Sequence, residues 1–238
     1  MLQHRDLEIE GSWNVRDIGG YPTADGGTTR WGVLLRSGDL ARVSPAGQQA
    51  LINYGVRTII DLRDLNEVRS FPNVFAQSPA VAYHHLPVQD DVETGGSIRL
   101  DSLYRNFIDA CQPNLSAVVT TAAESEPGVL IHCFAGKDRT GVVVALLLGA
   151  VGVPDAVIAE DYALTSGRIT HLVESWRAWA IQQGHDMTLF EHEVSSEAAT
   201  MQETLRHIRQ TYGGIPDYLR ACGVTDAQLA RLRALLVE

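Results

Sequence analysis

The sequence predicts an α/β fold in which a central, mainly parallel sheet is flanked by helices and the C-terminal half is helical. Short runs rich in β-branched residues alternate with amphipathic segments in the first half, whereas every periodic segment after residue 155 has helical spacing. The chain has 238 residues, 45% hydrophobic and 20% charged, enough to bury the core of one α/β domain. We therefore predict a single domain over residues 1–238.

Short apolar runs predict the strands, and turn-forming residues separate them. Asp25, Gly26 and Gly27 are typical of a hairpin turn near the N-terminus. Ser44 and Pro45 supply an N-cap and a first-turn proline for a helix that runs towards residue 54. The predicted strands cover residues 33–36, 56–61, 82–88 and 129–131.

The other periodic segments predict helices. One begins at Arg139 or Thr140, just before the apolar run of residues 142–148. Thr225 and Gln228 have capping-box form and open a final helix. The remaining predicted helices cover residues 97–110, 155–164, 169–181, 197–212 and 215–221.

Residues 132–141, here called the Cys133 loop, read His-Cys-Phe-Ala-Gly-Lys-Asp-Arg-Thr-Gly and join the last predicted strand directly to a helix. In this arrangement the N–H groups of residues 134–139 can turn inward, and the positive end of the helix dipole points at the same place. The loop is therefore predicted to be an anion cradle. Its phosphate-binding residues would be Phe134, Ala135, Gly136, Lys137 and Arg139.

Three side chains of the loop predict two-step phosphoryl transfer. Cys133 would lie at the floor of the cradle, where the amides, the helix dipole and Arg139 favour the nucleophilic thiolate. Arg139 offers a planar fork to two phosphoryl oxygens, and the Thr140 hydroxyl would donate a hydrogen bond to the sulfur. The alternative, an ordinary buried cysteine, leaves residues 136–139 unexplained.

The Cys133 loop resembles the signature of the cysteine-dependent protein tyrosine phosphatases, in which His-Cys is followed by five residues and then Arg-Ser or Arg-Thr. The Ala-Gly-Lys-Asp-Arg-Thr-Gly version resembles the bacterial and fungal branch, which includes tyrosine and lipid phosphatases. Residues 14–21, 35–40 and 61–63 are similar to that branch's Asn-x-Arg-Asp-x-Gly-Gly, Arg-Ser-x-x-Leu and Asp-Leu-Arg motifs. The resemblance implies a tyrosine-phosphatase-like fold and metal-independent, cofactor-free hydrolysis. The implied substrates are phosphotyrosine proteins, with phosphoserine, phosphothreonine and phosphoinositides in addition.

Two other functions stay open at this point. Cys133 could carry sulfur or arsenic redox chemistry, as in rhodanese-like and arsenate reductase enzymes, or the loop could bind phosphate without catalysis. Arg139 and Thr140 disfavour the first alternative. The second is disfavoured because a nucleophile, an arginine and a hydroxyl are all present.

The general acid that protonates the leaving oxygen is the least determined residue. Many tyrosine phosphatases carry it in a Trp-Pro-Asp loop, but none of this chain's 4 tryptophans precedes a proline. We predict Asp138 as the acid, with Asp90 or Asp91 as second choice. Alternatively, Asp138 pairs with an arginine and Asp90 and Asp91 form a solvated turn. Lys137 is either solvated or a second phosphate contact, which would favour multiply phosphorylated lipids.

Three more residues near the loop have candidate roles. Arg63 is predicted to pair with Asp61, although its place at a strand end also allows contact with substrate. Arg16 is predicted to pair with its neighbour Asp17. His132 is expected to hydrogen-bond the loop from behind rather than to act as a base.

Two larger features are predicted around the site. In open α/β sheets ligands bind beyond the carboxyl ends of the strands, so residues 61–63, residues 89–91 and the Cys133 loop should share one rim. Residues from about 165 to 205 contain Trp176 and Trp179 at helical spacing. They form either a helical lid over the site or a helical pair on the flank of the domain.

Charge and cysteine content restrict the partners, metal content and cellular compartment that we expect. The formal charge of -10 argues against a nucleic-acid partner and means that a local basic patch must draw an anionic substrate. Cys111, Cys133 and Cys222 lack disulfide or metal spacing, so we expect no metal and a reducing cytoplasm, with export without a cleavable signal left open. The N-terminus lacks a signal-peptide core and the longest apolar run, residues 142–153, is too short to anchor the chain in a membrane. No oligomeric state is predicted.

Overall fold

A computed structural model describes residues 4–88 and 100–238 and confirms the predicted α/β fold. A five-stranded sheet with strand order β1-β2-β5-β3-β4 lies at its centre. The strands are β1 Arg16–Asp17, β2 Leu34–Ser37, β3 Thr58–Asp61, β4 Ala82–His85 and β5 Val129–His132.

The sheet is parallel except at one edge. Strands β2, β5, β3 and β4 run in the same direction, and β1 pairs antiparallel with β2. The register places Ser37, His132 and Asp61 side by side, since each is the last residue of its strand. The segments that follow these residues therefore emerge at one edge, as predicted for residues 61–63 and the Cys133 loop. Residues 89–91, predicted for the same rim, lie outside the described residues.

Helices cover both faces of the sheet and form most of the C-terminal half. Those of the first half are α1 Pro45–Tyr54, α2 Leu65–Ser70, α3 Leu100–Ala110, α4 Gln112–Glu124 and α5 Asp138–Ala150. Those that follow are α6 Asp155–Ala163, α7 Thr165–Arg168, α8 Thr170–Gln183, α9 Met187–Val194, α10 Ala198–Tyr212, α11 Ile215–Ala221 and α12 Asp226–Leu236.

The helix starts predicted at Ser44 and Thr225 are confirmed. Ser44 accepts a hydrogen bond from the Gly47 N–H at the start of α1, and Gly55 ends that helix in the left-handed conformation, with φ of 116°. Thr225 and Gln228 form the predicted capping box of α12.

Helices α2 and α4 are not among the predicted elements. Helix α2 has only 6 residues, and the Asp64 and Glu67 capping box stabilises its start. Helix α4 begins two residues after α3 ends, whereas the predicted helix stops at residue 110. The prediction of α3 from residue 97 extends into residues 97–99, which lie outside the described part of the chain.

Strand alternation divides the core into two layers. Leu35, Ile59 and Leu130 point to the face covered by α1, whereas Leu34, Ile60 and Ile131 point to the face covered by α5. Helix α5 is buried from Thr140 to Leu148, so it is the central helix of the larger layer. Its burial fixes the position of its first turn, and that turn belongs to the Cys133 loop. Truncation of an α5 leucine to alanine would cost about 2–5 kcal/mol of unfolding free energy.

Within residues 4–88 and 100–238, no helix is both long enough and apolar enough to cross a membrane.

Candidate active site

Cys133 follows β5 directly and precedes α5, which begins at Asp138 rather than at Arg139 or Thr140. The residue is only 2% exposed. Strand β5 and helix α5 are both buried, so the loop between them is held at both ends. Cys133 therefore lies at the start of a turn that is held at both ends, and its role as nucleophile stays a prediction.

The peptide carbonyls of the Cys133 loop are bound by neighbouring segments. The Phe134 carbonyl accepts from the Asp39 N–H at 2.8 Å. The Ala135 and Gly136 carbonyls accept from Asn14 Nδ2 at 3.2 and 3.0 Å. The Gly136 carbonyl also accepts from an Arg36 guanidinium nitrogen at 2.7 Å.

This arrangement directs the loop's N–H groups to one side. In a trans peptide unit the C=O and the N–H point in opposite directions. The N–H groups of Ala135, Gly136 and Lys137 therefore point away from the three bound carbonyls. Within the described part of the chain, no hydrogen bond uses the N–H of residues 134–137 as a donor. Free, convergent N–H groups of this kind suit an anion.

Gly136 permits this backbone path. Its φ is +67°, and a Cβ at this position would lie 2.3 Å from the Ser37 carbonyl oxygen. Only glycine combines the left-handed conformation with so close an approach to the end of β2.

Arg139 is held by Glu67, a residue that the sequence analysis missed. Two guanidinium nitrogens donate to the two Glu67 carboxylate oxygens, at 2.5 and 2.8 Å. Burial opposes the arginine's charge, but the hydrogen bonds that Arg139 donates to Glu67 and the electrostatic attraction of its neighbours, the Glu67 carboxylate among them, outweigh it and raise the pKa of Arg139. Glu67 also accepts from the Asp64 N–H, so the capping box of α2 fixes the carboxylate. The Asp-x-x-Glu spacing was the available sequence signal.

Asp138 occupies the first turn of α5 and stays partly open to solvent, with 28% of its side chain exposed. Its Oδ1 accepts a hydrogen bond from the Tyr104 hydroxyl at 2.7 Å. Tyr104 in turn lies 2.7 Å from the Tyr162 hydroxyl. Burial and the nearby negative charge of Asp138 raise the pKa of Tyr104 well above its usual value, so its hydroxyl remains a donor. Asp90 and Asp91, the second choice for the acid, lie outside the described residues.

Lys137 is not solvated, since it is only 3% exposed. Its Nζ donates to the carbonyls of Glu193 and Ser195, at 2.5 and 3.0 Å, and lies 3.3 Å from Asp138. A cation at these carbonyls complements the negative end of the dipole of α9. Lys137 therefore connects the Cys133 loop to the C-terminus of α9.

Thr140 is fully buried, and its hydroxyl has no hydrogen-bond partner among the described residues. The predicted bond to the Cys133 sulfur is thus not formed in this structure.

A second buried network lies beside the loop, and we call it the Arg63 cluster: Arg63, Asp39, Asp61, Asn73, Tyr83 and His132. Arg63 pairs with Asp61 at 2.6 Å and with Asp39 at 2.7 Å, and its side chain is fully buried. This position favours the structural interpretation of Arg63 over contact with substrate. His132 Nδ1 lies 3.1 Å from the Cys133 carbonyl, so the histidine does bond the loop from behind.

The prediction for Arg16 was wrong in its partner. Arg16 pairs with Asp161 of α6 at 3.0 Å, not with Asp17. The Asp17 carboxylate instead accepts from the Gly19 and Gly32 N–H groups, at 2.7 and 2.6 Å. The chain separation of Arg16 and Asp161 explains why the sequence could not reveal the pair. We call this group the Asp161 cluster: Asn14, Arg16, Tyr21, Arg36 and Asp161.

Aromatic side chains surround the outer end of the loop. The Phe134 ring lies 6.3 Å from Trp13, 6.4 Å from Phe71 and 6.3 Å from Trp176. Trp176 belongs to α8, so the segment predicted as a lid or a flank contacts the Cys133 loop directly. An aromatic rim around an N–H cradle suits a phosphate ester with an apolar or aromatic alcohol part. Fold and site together define a phosphatase that depends on a cysteine.

Comparisons of the sequence with known proteins agree with this class. Residues 7–238 match the model of the tyrosine phosphatase family, and the chain belongs to that family. It is 32% identical to the triple specificity protein phosphatase PtpB of Mycobacterium tuberculosis, over 97% of this chain and 98% of that protein. It is 29% identical to a tyrosine-protein phosphatase of Nostoc commune, over 85% of this chain and 74% of that protein. The crystal structure of a Neisseria meningitidis protein that is 22% identical in sequence aligns with 58% of this chain and 86% of that protein's chain, with a TM-score of 0.40. The protein is a protein tyrosine phosphatase that acts on phosphorylated substrates.

Proposed function

We propose that the enzyme hydrolyses phosphomonoesters in two steps through a phosphocysteine on Cys133. The observation that carries this mechanism is the set of bound carbonyls behind residues 134–136, which leaves N–H groups directed at one anion site. A dianionic phosphoryl group bound there would lie against the thiolate. Arg139, oriented by Glu67, would bind two of its equatorial oxygens as charge redistributes during transfer.

The first step transfers the phosphoryl group to sulfur. The Cys133 thiolate attacks phosphorus as the bond to the ester oxygen breaks, and that oxygen takes a proton from Asp138. In the second step Asp138 removes a proton from water, the water oxygen attacks phosphorus, and the thiolate leaves. The buried Thr140 hydroxyl has no other partner among the described residues, so it is free to donate to the sulfur as the thiolate forms again.

We further propose that phosphotyrosine proteins are the main substrates, with phosphoserine, phosphothreonine and phosphoinositides accepted in addition. The aromatic rim of Trp13, Phe134 and Trp176 supports the first part. The printed name of the mycobacterial relative, a triple specificity phosphatase, supports the second. Lys137 would contact a second phosphate only after leaving the carbonyls at the end of α9.

The chain is proposed to be one domain in which residues from about 165 to 205 act as a lid. Two contacts support the lid: Trp176 lies against Phe134, and Lys137 binds the last turn of α9. Limited proteolysis of this segment should slow when vanadate is bound. Cleavage at the same rate with and without vanadate would favour the alternative, a helical pair fixed on the flank.

The decisive experiment is phosphate release by wild-type and Cys133→Ser protein in the presence of a chelator. The substrates are phosphotyrosine and phosphoserine peptides, phosphoinositides and a nitrophenyl phosphate. Turnover that disappears in the serine variant would support cysteine-based hydrolysis, and the ranking of substrates would test the proposed range. A wild type that releases phosphate only with added metal, or equally well as the serine variant, would reject the mechanism.

The general acid is tested by Asp138→Asn. Loss of the proton donor should reduce turnover of poor leaving groups much more than that of nitrophenyl phosphate. Equal losses on both would exclude Asp138 and direct attention to Asp90 and Asp91.

A further inference from the structure

The Asp161 cluster binds the Cys133 loop from its carbonyl side and has no role in the proposed chemistry. Asn14, Arg16, Arg36 and Asp161 are each exposed by 4% or less. Buried polar side chains are costly unless they are bonded, so such a cluster needs a reason. The contacts of Asn14 suggest one.

Asn14 connects the cluster to the loop through the two ends of its amide. Its Oδ1 accepts from Arg16, and its Nδ2 donates to the Ala135 and Gly136 carbonyls. Because the guanidinium can only donate, it fixes the amide with the nitrogen towards the loop. The Asn14 backbone has a φ of 56°, the left-handed region that asparagine tolerates better than most residues. The chain thus adopts an unfavoured conformation at the residue that reaches the loop.

Asp161 anchors the two arginines of the cluster. Its carboxylate accepts from Arg16 at 3.0 Å, from Arg36 at 2.7 Å and from the Tyr21 hydroxyl at 2.8 Å. Burial and the charge of Arg36 lower the pKa of Arg16 to about 10, so it is still a cation at neutral pH. Two cations therefore share one carboxylate, and the cluster carries an excess positive charge next to the Gly136 carbonyl.

The orientation of the loop's peptides and the positive charge of the Asp161 cluster both favour an anion on the N–H side of the loop. A peptide whose carbonyl is bound by Asn14 or Arg36 must present its N–H on the opposite side. The excess positive charge favours an anion or a thiolate within its range.

We propose that Asn14 is a positioning residue of the active site. Supported by Asp161 through Arg16, it binds the carbonyls of Ala135 and Gly136. The N–H groups of the same two peptide units, those of Gly136 and Lys137, are thereby directed to bind the phosphoryl group and to support the Cys133 thiolate. This inference rests on the proposed function, since it assigns the anion site to the loop. Asn14 is not a catalytic residue, because it touches the loop's carbonyls rather than the substrate.

The test compares two variants of Asn14 with one matched control. Asn14→Gly removes the side chain while keeping the left-handed backbone accessible and the charge unchanged. Asn14→Asp keeps the size and the acceptor for Arg16 but removes both donors and adds a negative charge. Tyr218→Phe is the control, because it deletes a buried hydrogen bond to a backbone carbonyl, that of Ile108 at 2.7 Å, on α11 and outside the site. Each protein is assayed for vanadate inhibition, for the pH dependence of Cys133 alkylation by iodoacetamide, and for protection of Cys133 from alkylation by vanadate.

Both Asn14 variants should raise the vanadate inhibition constant about tenfold or more, in line with the loss of oriented N–H donors in other anion holes. Their alkylation profiles should move to higher pH, and Tyr218→Phe should match the wild type in both assays. If Asn14→Gly does not fold, the isosteric Asn14→Asp decides. Wild-type behaviour of the folded variants, or equal losses in Tyr218→Phe, would overturn the proposal.

Alkylation and its protection by vanadate require no phosphate ester. A wild type that hydrolyses nothing yet is protected by vanadate would therefore reject the proposed function alone. A wild type that hydrolyses esters while the Asn14 variants keep full vanadate affinity would reject the positioning role alone.

Discussion

The two buried ion clusters beside β5 have opposite charge balances. In the Asp161 cluster two arginines share one carboxylate, and in the Arg63 cluster a single arginine is shared by Asp39 and Asp61. The first cluster reaches the Cys133 loop through side-chain donors. The second reaches it mainly through the Asp39 N–H and through His132.

The difference in charge balance indicates that one cluster favours anion binding and the other stabilises the fold. An excess cation next to the loop's carbonyls would favour an anion bound on their other side. An excess carboxylate would repel such an anion. Burial raises the pKa of Asp39, and this weakens the repulsion because it disfavours the charged form of the carboxyl group. We infer that the Asp161 cluster mainly sets the affinity of the loop for phosphate, whereas the Arg63 cluster mainly ties β3 to its neighbours.

The largest expected difference between the clusters is in stability. Asp161→Asn leaves two buried guanidiniums without a carboxylate and should lower the unfolding free energy by about 3–5 kcal/mol. Asp39→Asn should cost only about 1 kcal/mol, because Arg63 keeps its pair with Asp61. Urea denaturation of both variants at neutral pH measures the difference. A loss in Asp39→Asn equal to that in Asp161→Asn would show that the charge balance is irrelevant.

The next effect is a loss of stability in acid. Burial opposes the ionisation of Asp161, but Arg16 and Arg36 outweigh it and hold the pKa well below its usual range. For Asp61, His132 and Arg63 outweigh burial in the same way. The unfolded chain therefore binds more protons than the native protein below about pH 4, and stability falls there by roughly 2 kcal/mol or more.

Asp39 contributes with the opposite sign. Its pKa is raised in the native protein, so its share of stability is present at low pH and is lost as pH rises through the raised value. Urea midpoints at pH 7, 5, 4 and 3 should fall steeply in the acid range for the wild type. They should fall less in a folded Asp161→Asn variant, whereas parallel profiles would contradict the assignment of the acid loss to Asp161.

A third prediction concerns Glu67, which orients Arg139 without belonging to either cluster. Glu67→Gln removes the two-point ion pair and should lower kcat/KM for nitrophenyl phosphate about 10- to 100-fold through misplacement of the guanidinium. The capping box is partly retained by glutamine, so stability should change little. Asp217→Asn, which breaks an exposed pair with Arg220, is the control for loss of a carboxylate. Unchanged kcat/KM would show that Arg139 needs no carboxylate to hold it.

The sequence predicted the local parts of this site well. The Cys133 loop lies between a strand and a helix that both have clear apolar patterns, so its position and the convergence of its N–H groups followed from adjacent residues. The caps at Ser44 and Thr225 were read from short spacings in the same way. Parallel strands also placed residues 61–63 at the correct edge.

Contacts across long chain separations were not predictable in this way. Arg16 was assigned to adjacent Asp17 because no periodicity indicates Asp161, 145 residues away. The sequence places Asn14 in a motif but does not indicate its contacts, since these are two carbonyls more than 100 residues further along the chain. Neither alternative for Lys137, solvation or a second phosphate contact, included its observed partners, because these are backbone carbonyls at the end of α9 that no side-chain pattern reveals.

The smallest expected effect comes from removing one tyrosine hydrogen bond from each cluster, which distinguishes the role of hydrogen bonds from that of the clusters' charge. The Tyr21 hydroxyl donates to Asp161 at 2.8 Å, and the Tyr83 hydroxyl donates to Asp61 at 2.9 Å. Tyr21→Phe and Tyr83→Phe each remove one such bond and leave the charge balance of the cluster unchanged. Each should cost about 0.5–1.5 kcal/mol of unfolding free energy.

Vanadate affinity should stay within about twofold of wild type in both tyrosine variants, since neither the loop's donors nor the excess charge changes. A large loss of affinity in Tyr21→Phe would mean that the hydrogen bonds of Asp161, rather than its balance with two arginines, hold the loop in place. If vanadate affinity is unchanged in both tyrosine variants but falls tenfold when Asn14 is replaced, anion binding by the loop depends on the contacts of the Asn14 amide and on the excess positive charge.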